Sequence, residues 1–122
     1  MRKFGLIGKN ISYSFSQNYF TDKFSSENIL DATYENFDID NIDTILNIFE
    51  NPEIVGCNVT IPYKETIIPY LDKLDKKAKN IGAVNTIKRH KNGKLIGYNT
   101  DCYGFKKTLK PHLKTFHKQA LI

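Results

Sequence analysis

Segments with the pattern of a strand alternate along this chain with segments that have the pattern of a helix. Short apolar runs at residues 3–7, 33–37 and 54–61 predict strands. Between them, residues 42–49 carry apolar side chains at i, i+3, i+4 and i+7, which predicts a helix, and another helix is predicted from Ser16 as its N-cap. The alternation predicts an α/β domain with a mostly parallel sheet and right-handed crossovers.

The second half of the chain adds a hairpin to this pattern. Asn92-Gly93 lies between the strand-like segments 84–88 and 95–98, and this dipeptide strongly favours a two-residue hairpin turn. Gly82 follows a short predicted helix at the position where a left-handed residue ends helices. We therefore expect a three-layer α/β sandwich: a mostly parallel twisted sheet with one antiparallel hairpin and helices on both faces.

Composition narrows the class of protein. The 122 residues are enough for one domain, and 40% hydrophobic residues with 8 Phe and 7 Tyr support a packed core. Neither a long apolar run nor a signal peptide is present, so we expect a cytoplasmic protein without a membrane partner. Cys57 and Cys102 form no CxxC pattern and the histidines lack ligand spacing, so we expect reduced, mostly structural thiols and no metal.

The net charge of +5 is concentrated in the last part of the chain. Residues 88–122 contain nine Lys or Arg and one acid, whereas residues 1–87 contain nine against twelve. Such a basic segment can bind nucleic acid or another anion. It has neither interleaved aromatic residues nor a nucleic-acid-binding module, so a solvated surface is the preferred interpretation and no nucleic-acid partner is expected.

Polar side chains gather where the predicted strands end, which is where open α/β sheets bind ligands. They are Ser14, Ser16, Asn58, Thr60, Lys64, Asn85 and Asp101. Each has an ordinary structural alternative, such as a loop serine, a solvated lysine or a capping aspartate. Together they predict a pocket for a small hydroxyl-bearing acid, in which a Lys64–Asp101 pair adds proton transfer.

Local patterns predict how these side chains are presented. Asn58 and Thr60 are two residues apart in a strand and face the same way, and Pro62 then turns the chain out of the sheet. Serines at every second position from 12 to 16 would present hydroxyls on one side of an extended loop. Thr100-Asp101 is expected to provide the cap of the last helix, which continues to about Pro111.

Four motifs stand in order along the chain: Ser14-Phe15-Ser16, Asn58-Val59-Thr60-Ile61-Pro62-Tyr63-Lys64-Glu65, Gly82-Ala83-Val84-Asn85-Thr86 and Gly97-Tyr98-Asn99-Thr100-Asp101. In order and spacing they resemble the substrate-domain motifs of the shikimate dehydrogenase family, and the likeness runs from Phe4 to Leu121. The resemblance implies a domain that binds 3-dehydroshikimate or shikimate in an NADP-dependent oxidoreductase of aromatic amino-acid biosynthesis, the chorismate pathway.

The resemblance also implies a role for each candidate residue. Ser14 and Ser16 would hold the substrate carboxylate, and the ring hydroxyls would be bound by Asn58, Thr60, Asn85 and Asp101. Lys64, paired with Asp101, would be the acid/base at the carbonyl that receives hydride. Asp101 would orient the ammonium and help to keep it charged.

Four positions depart from the family pattern. Asn10 and Gln17 stand where prolines are frequent, so the first loop is expected to be less rigid. Tyr13 stands where histidine is frequent. Cys102 stands where glycine is usual. None of the four removes a proposed substrate contact.

Residues 118–122 resemble the start of a Rossmann strand. The expected division is a substrate-binding catalytic domain at 1–117 and, at 118–122, the start of the linker or first strand of an NADP-binding domain. No G-x-G-x-x-G stretch occurs in the chain, so NADP is expected to bind outside it and this chain alone to be inactive. A quinate/shikimate dehydrogenase of relaxed specificity and a non-catalytic module that binds a hydroxylated acid remain alternatives, as do a monomer and a homodimer.

Overall fold

A six-stranded mixed sheet forms the centre of the molecule, which is described by a computed structural model of residues 1–122. The strands and helices, in chain order, are β1 Arg2–Gly8, α1 Ser16–Ser26, β2 Ala32–Asp38, α2 Ile45–Glu50, β3 Ile54–Val59, β4 Lys73–Leu74, α3 Lys76–Ile81, β5 Thr86–Arg89, β6 Leu95–Tyr98 and α4 Asp101–Leu109. Short 3-10 helices span Ile42–Thr44, Ile68–Tyr70 and Lys110–His112.

The direction of the strands decides which loops meet. The strand order is β2-β1-β3-β5-β6-β4. β1 is parallel to β2 and β3, and β4 is parallel to β6, whereas β5 is antiparallel to both of its neighbours. The carboxyl ends of β1, β2, β3 and β6 therefore lie at one edge of the sheet together with the amino end of β5. We call this edge the carboxyl edge. The strand directions confirm the predicted sheet, which is mostly parallel with one antiparallel hairpin.

The two glycines that were predicted to end a helix and to form the hairpin turn do so. Gly82 follows α3 with a φ of 76°, and Gly93 has a φ of 84° in the turn between β5 and β6. These left-handed conformations cost glycine little because it has no Cβ. The predicted helix at 42–49 is present, with its first turn wound as a 3-10 helix.

Three details of the prediction were wrong. β3 ends at Val59 and not at residue 61, because the Thr60 carbonyl accepts a hydrogen bond from the Tyr63 N–H, at 3.0 Å, and closes a turn. Ser16 is the first residue of α1 and not its N-cap; Phe15 holds that position without a side-chain cap. The two-residue β4 was missed because so short a strand has no periodicity of its own.

Two apolar clusters lie on opposite faces of the sheet, because successive side chains of a strand point to opposite sides. Ile7 of β1 belongs to the larger cluster, which includes Val59 and side chains of α2 and α3. Leu6 belongs to the smaller cluster with Tyr34, under Phe20 of α1. Helices therefore cover both faces, as the predicted three-layer sandwich requires.

The final segment is the least buried part of the molecule. α4 confirms the predicted last helix and ends at Leu109, before Pro111. Every residue from 101 to 122 is exposed, including the ring of Phe105 at 70%. None of the helices combines the length and the hydropathy needed to cross a bilayer.

The two cysteines should differ in reactivity. Cys57 is buried in the sheet, and burial raises the pKa of its thiol to about 12, which keeps the thiol protonated near neutral pH. Cys102 is exposed, so burial supports the expected structural role for Cys57 alone. At about pH 8, a chromogenic disulfide reagent should react with one thiol per folded chain and with two in guanidinium. Cys102→Ser should abolish the reaction of the folded protein; rapid reaction of this variant would contradict the burial of Cys57.

Candidate functional site

A cavity of about 540 Å³ opens at the carboxyl edge of the sheet. Its lining residues are Phe15, Ser16, Tyr19, Phe20, Asn58, Val59, Thr60, Lys64, Asn85 and Asp101. Six of the seven predicted site residues are in this set. Ser14 is not, although its hydroxyl accepts a hydrogen bond from the Ser16 N–H at 3.3 Å. The structure thus brings the predicted polar groups together, and their chemical roles remain predictions.

The turn after β3 presents Lys64 to the cavity. Tyr63 is buried, and its hydroxyl donates to the Ile39 carbonyl at 2.5 Å. The Lys64 carbonyl accepts a hydrogen bond from the Val84 N–H at 2.7 Å. The main chain is therefore held on both sides of the lysine, and its side chain extends to the carboxyl edge as Pro62 led us to expect.

Lys64 and Asp101, which both line the cavity, form an ion pair. The Lys64 Nζ donates to the Asp101 Oδ2 at 2.6 Å, with side chains 35% and 56% exposed. A pair this exposed contributes only about 0.2–1 kcal/mol to stability. The fold therefore depends little on this contact.

The sequence left Asp101 with a competing role as a helix cap, and that interpretation was wrong. Asp101 is the first residue of α4, and Thr100, at the N-cap position, makes no side-chain cap bond. The side chain that caps is Asn99, whose Oδ1 accepts a hydrogen bond from the Cys102 N–H at 3.0 Å. The Asp101 carboxylate is thus available to Lys64.

Behind the ion pair, amide and hydroxyl side chains form a continuous array of hydrogen bonds. The Tyr34 hydroxyl donates to Asn58 Oδ1 at 2.9 Å, and Asn58 Nδ2 donates to Thr86 Oγ1 at 3.3 Å. The Thr86 hydroxyl donates to Asn85 Oδ1 at 3.1 Å, and Asn85 Nδ2 donates to Thr100 Oγ1 at 2.7 Å. Asn85 precedes β5 and does not lie within a strand as predicted, but its buried amide has partners on both sides.

Sequence reasoning missed several members of this site. Thr86 and Thr100 lie inside two of the four motifs, but they were not predicted to belong to the site. Each stands next to a predicted site residue, and the sequence does not show which of two neighbouring polar side chains faces a cavity. Tyr34 lies on β2 without any motif, and Phe20 was assigned only to the apolar face of α1. The contact of Tyr34 with Asn58 depends on strand register, which the sequence does not specify.

The first loop differs from its prediction. Ser12 and Tyr13 form a turn closed by a hydrogen bond from the Ser14 N–H to the Ile11 carbonyl, so the serines do not alternate along an extended segment. The loop is instead held by Asp38 at the end of β2. Its carboxylate accepts the N–H groups of Asn10, at 2.9 Å, and of Ile11, at 3.1 Å.

Three further hollows differ from this cavity in their chemistry. One of about 750 Å³ lies over the aromatic side chains of the α1 face, between Phe4 and Ile87. Another of about 480 Å³ lies between α3 and α4, with four lysines in its wall, and a third of about 460 Å³ is bordered by the basic residues 88–91 and Asn92. Of these four, the cavity at the carboxyl edge is the one that combines an ammonium–carboxylate pair with several amide and hydroxyl groups. No group of three or more His, Cys, Asp or Glu side chains is placed to hold a metal ion.

Comparison with known proteins gives a consistent result. A family model described as the shikimate dehydrogenase substrate binding domain matches residues 6–87. The shikimate dehydrogenase (NADP(+)) of Staphylococcus aureus strain Newman is 49% identical over 109 residues, which are 88% of this chain and 40% of that protein. The chain thus spans about two fifths of the length of the curated relatives it matches.

Solved structures agree in fold as well as in sequence. Shikimate dehydrogenase 1 from Peptoclostridium difficile superposes with a TM-score of 0.81 at 42% identity, over 91% of this chain and 41% of that one. Shikimate 5-dehydrogenase from Thermus thermophilus, solved in complex with NADP(H) and shikimate, gives a TM-score of 0.79 at 30% identity, over 92% of this chain and 42% of that one.

The Asp38 carboxylate should hold the first loop in place. We expect Asp38→Ala to lower the free energy of unfolding by about 1–3 kcal/mol, because two backbone N–H groups lose a charged acceptor. Urea unfolding would measure the change. Asp40→Ala removes a neighbouring exposed carboxylate that makes no such bond and is the matched control. Equal unfolding midpoints for the two variants would contradict this role of Asp38.

Proposed function

The chain belongs to the shikimate dehydrogenase family, as its substrate-binding domain, and on that premise we propose that the cavity at the carboxyl edge binds shikimate and 3-dehydroshikimate. The longer protein that contains it would catalyse the NADPH-dependent, reversible reduction of 3-dehydroshikimate to shikimate in aromatic amino-acid biosynthesis. The observation that carries this proposal is the Lys64–Asp101 pair, 2.6 Å apart, in the wall of a cavity rich in amide and hydroxyl groups.

The two ends of the substrate would meet different groups. Ser16 lines the cavity at the start of α1 and would bind the carboxylate, while Ser14 would assist by holding the Ser16 N–H. Asn58, Thr60 and Asn85 would bind the ring hydroxyls from the sheet side. A ligand with a carboxylate at one end and hydroxyls at the other matches this division.

Lys64 would move the proton. In the reduction, negative charge develops on the ketone oxygen, and an ammonium within hydrogen-bond reach stabilises that charge and then supplies the proton. In the reverse direction the neutral amine takes the hydroxyl proton. Asp101 would bind a ring hydroxyl and keep the ammonium aimed at the reacting oxygen through its hydrogen bond to Nζ.

NADP, when bound, supplies or accepts the hydride. Among these 122 residues no glycine-rich turn of the dinucleotide-binding type follows a strand, so the residues present do not fit the cofactor. We therefore assign NADP to a domain outside residues 1–117. Residues 118–122 would begin the connection to that domain.

Binding can be tested on the chain itself. Titration of the isotopically labelled chain with shikimate, followed by NMR, should shift the resonances of Ser16, Asn58 and Lys64 in a saturable manner. Benzoate, which has the carboxylate but no hydroxyls, is the control and should bind much more weakly. If shikimate produces no saturable shifts, or if quinate binds as well as shikimate, the proposed ligand or its specificity is wrong.

Catalysis requires the longer polypeptide with its cofactor domain. There, Lys64→Ala should lower kcat by about 100-fold or more with a smaller change in KM, because its bond to the reacting oxygen strengthens in the transition state. Lys79→Ala removes an exposed lysine of α3 that does not line the cavity and is the control. A near-normal kcat for Lys64→Ala would remove Lys64 from the mechanism.

The alternative of a non-catalytic binding module predicts a different result: the chain would bind shikimate, but the longer polypeptide would not oxidise it.

A further inference from the structure

Tyr34 is outside the motifs, yet its phenol contacts a residue of the cavity. It is buried on β2 and stacks on Phe20 of α1, with ring centroids 4.5 Å apart. Its hydroxyl donates to Asn58 Oδ1 at 2.9 Å. Resting on the function proposed above, we propose that Tyr34 is a positioning residue: it fixes the amide of Asn58 so that this side chain offers the substrate an N–H and not an oxygen.

The direction of the hydrogen bonds is set by a backbone group. The Thr100 N–H can only donate, and it lies 2.7 Å from Asn85 Oδ1. The nitrogen of the Asn85 amide therefore faces the Thr100 hydroxyl, at 2.7 Å. The orientation of the Asn85 amide is thus dictated by the main chain at the start of α4.

The hydroxyl of Thr86 lies between the amides of Asn85 and Asn58, so the orientation of the first determines that of the second. The Thr86 hydroxyl has two neighbours that can accept its single proton, Asn85 Oδ1 at 3.1 Å and the Thr100 hydroxyl oxygen at 3.4 Å. Asn85 Oδ1 is the nearer and can only accept, so the proton is directed there. Toward Asn58, 3.3 Å away, the same hydroxyl is therefore an acceptor, and the group of Asn58 that faces it must be Nδ2. Asn58 Oδ1 then points to Tyr34. Because that oxygen also only accepts, Tyr34 must donate.

Both asparagines consequently present donors to the ligand. Each Nδ2 carries two hydrogens, of which one goes to a threonine hydroxyl and the other has no protein partner. Both oxygens are occupied by protein donors, and both side chains line the cavity. The ligand atoms that face Asn58 and Asn85 must therefore be acceptors, such as hydroxyl or carbonyl oxygens, and not ammonium groups.

Without the phenol hydroxyl, Asn58 keeps its bond to Thr86 but loses the donor that holds its oxygen. Its oxygen would be left without a partner beside an aromatic ring, at a cost comparable to a lost buried hydrogen bond. Rotating the amide would relieve this loss, but it would turn an acceptor toward the Thr86 oxygen and disturb the array. Burial raises the pKa of the Tyr34 phenol, so it stays protonated and able to donate throughout the neutral range.

Tyr34→Phe removes only the hydroxyl and tests the inference. In the NMR titration of the 122-residue chain we expect shikimate to bind about tenfold more weakly, since one ligand hydrogen bond loses its fixed donor. Without ligand, the side-chain amide resonances of Asn58 should also shift or broaden. Tyr70→Phe is the matched control, because it removes a hydroxyl that is bonded to Asp43 outside the cavity. It should leave both measurements unchanged.

A double-mutant cycle separates positioning from a general effect on the fold. If Tyr34 acts through Asn58, Tyr34→Phe should change the shikimate affinity of the Asn58→Ala variant by no more than about twofold. A full tenfold loss in that background would overturn the inference. If the unaltered chain does not bind shikimate, the proposed function fails. Tyr34 is then judged on the ligand-free spectrum, where unshifted Asn58 resonances in Tyr34→Phe would overturn its role.

Discussion

Strand β1 pairs in parallel with β2 on one side and β3 on the other, and this pairing places three carboxyl ends at one edge of the sheet. The pairing is well supported, because β1 contributes buried side chains to the apolar clusters on both faces. The reversed direction of β5 then brings Asn85 to the same edge, at the amino end of its strand. The cavity follows from these directions, since the residues that line it come from segments far apart in the chain.

Two kinds of polar group share this edge and differ in what they need from the fold. The asparagine amides are buried or half-buried, so they require partners on the protein and are held in one orientation. Lys64 is half-buried and Asp101 is exposed, and the fold depends little on their contact. The amides are thus suited to fixing the position of a ligand, whereas the ion pair is free to respond to a change of charge on it.

The sequence was most informative where a residue type has a single structural meaning. Asn92-Gly93 and Gly82 predicted a hairpin and a helix end because the left-handed conformation favours those residues, and the alternation of periods predicted the sheet. The site residues were predicted because polar side chains stand where the predicted strands end, and the resemblance of four motifs to those of one family then implied their roles. Tyr34 was not predicted as a site residue because its partner, Asn58, is 24 positions away in the chain and lies on a strand that is not adjacent to β2. The capping role of Asn99 was not predicted because Thr100 and Asp101, which follow it, are also residue types that favour the N-cap position.

The hairpin of β5 and β6 links the carboxyl edge to the opposite end of the sheet. Its tip at Asn92-Gly93 is exposed and is closed locally, by hydrogen bonds from the Gly93 N–H to the His90 carbonyl and from the Lys94 N–H to Asn92 Oδ1. Because those bonds stay within five residues, the tip makes little demand on the rest of the molecule. It is consequently a suitable attachment point for a fluorescent probe or an affinity handle, which would report on the domain without standing in the path of a ligand.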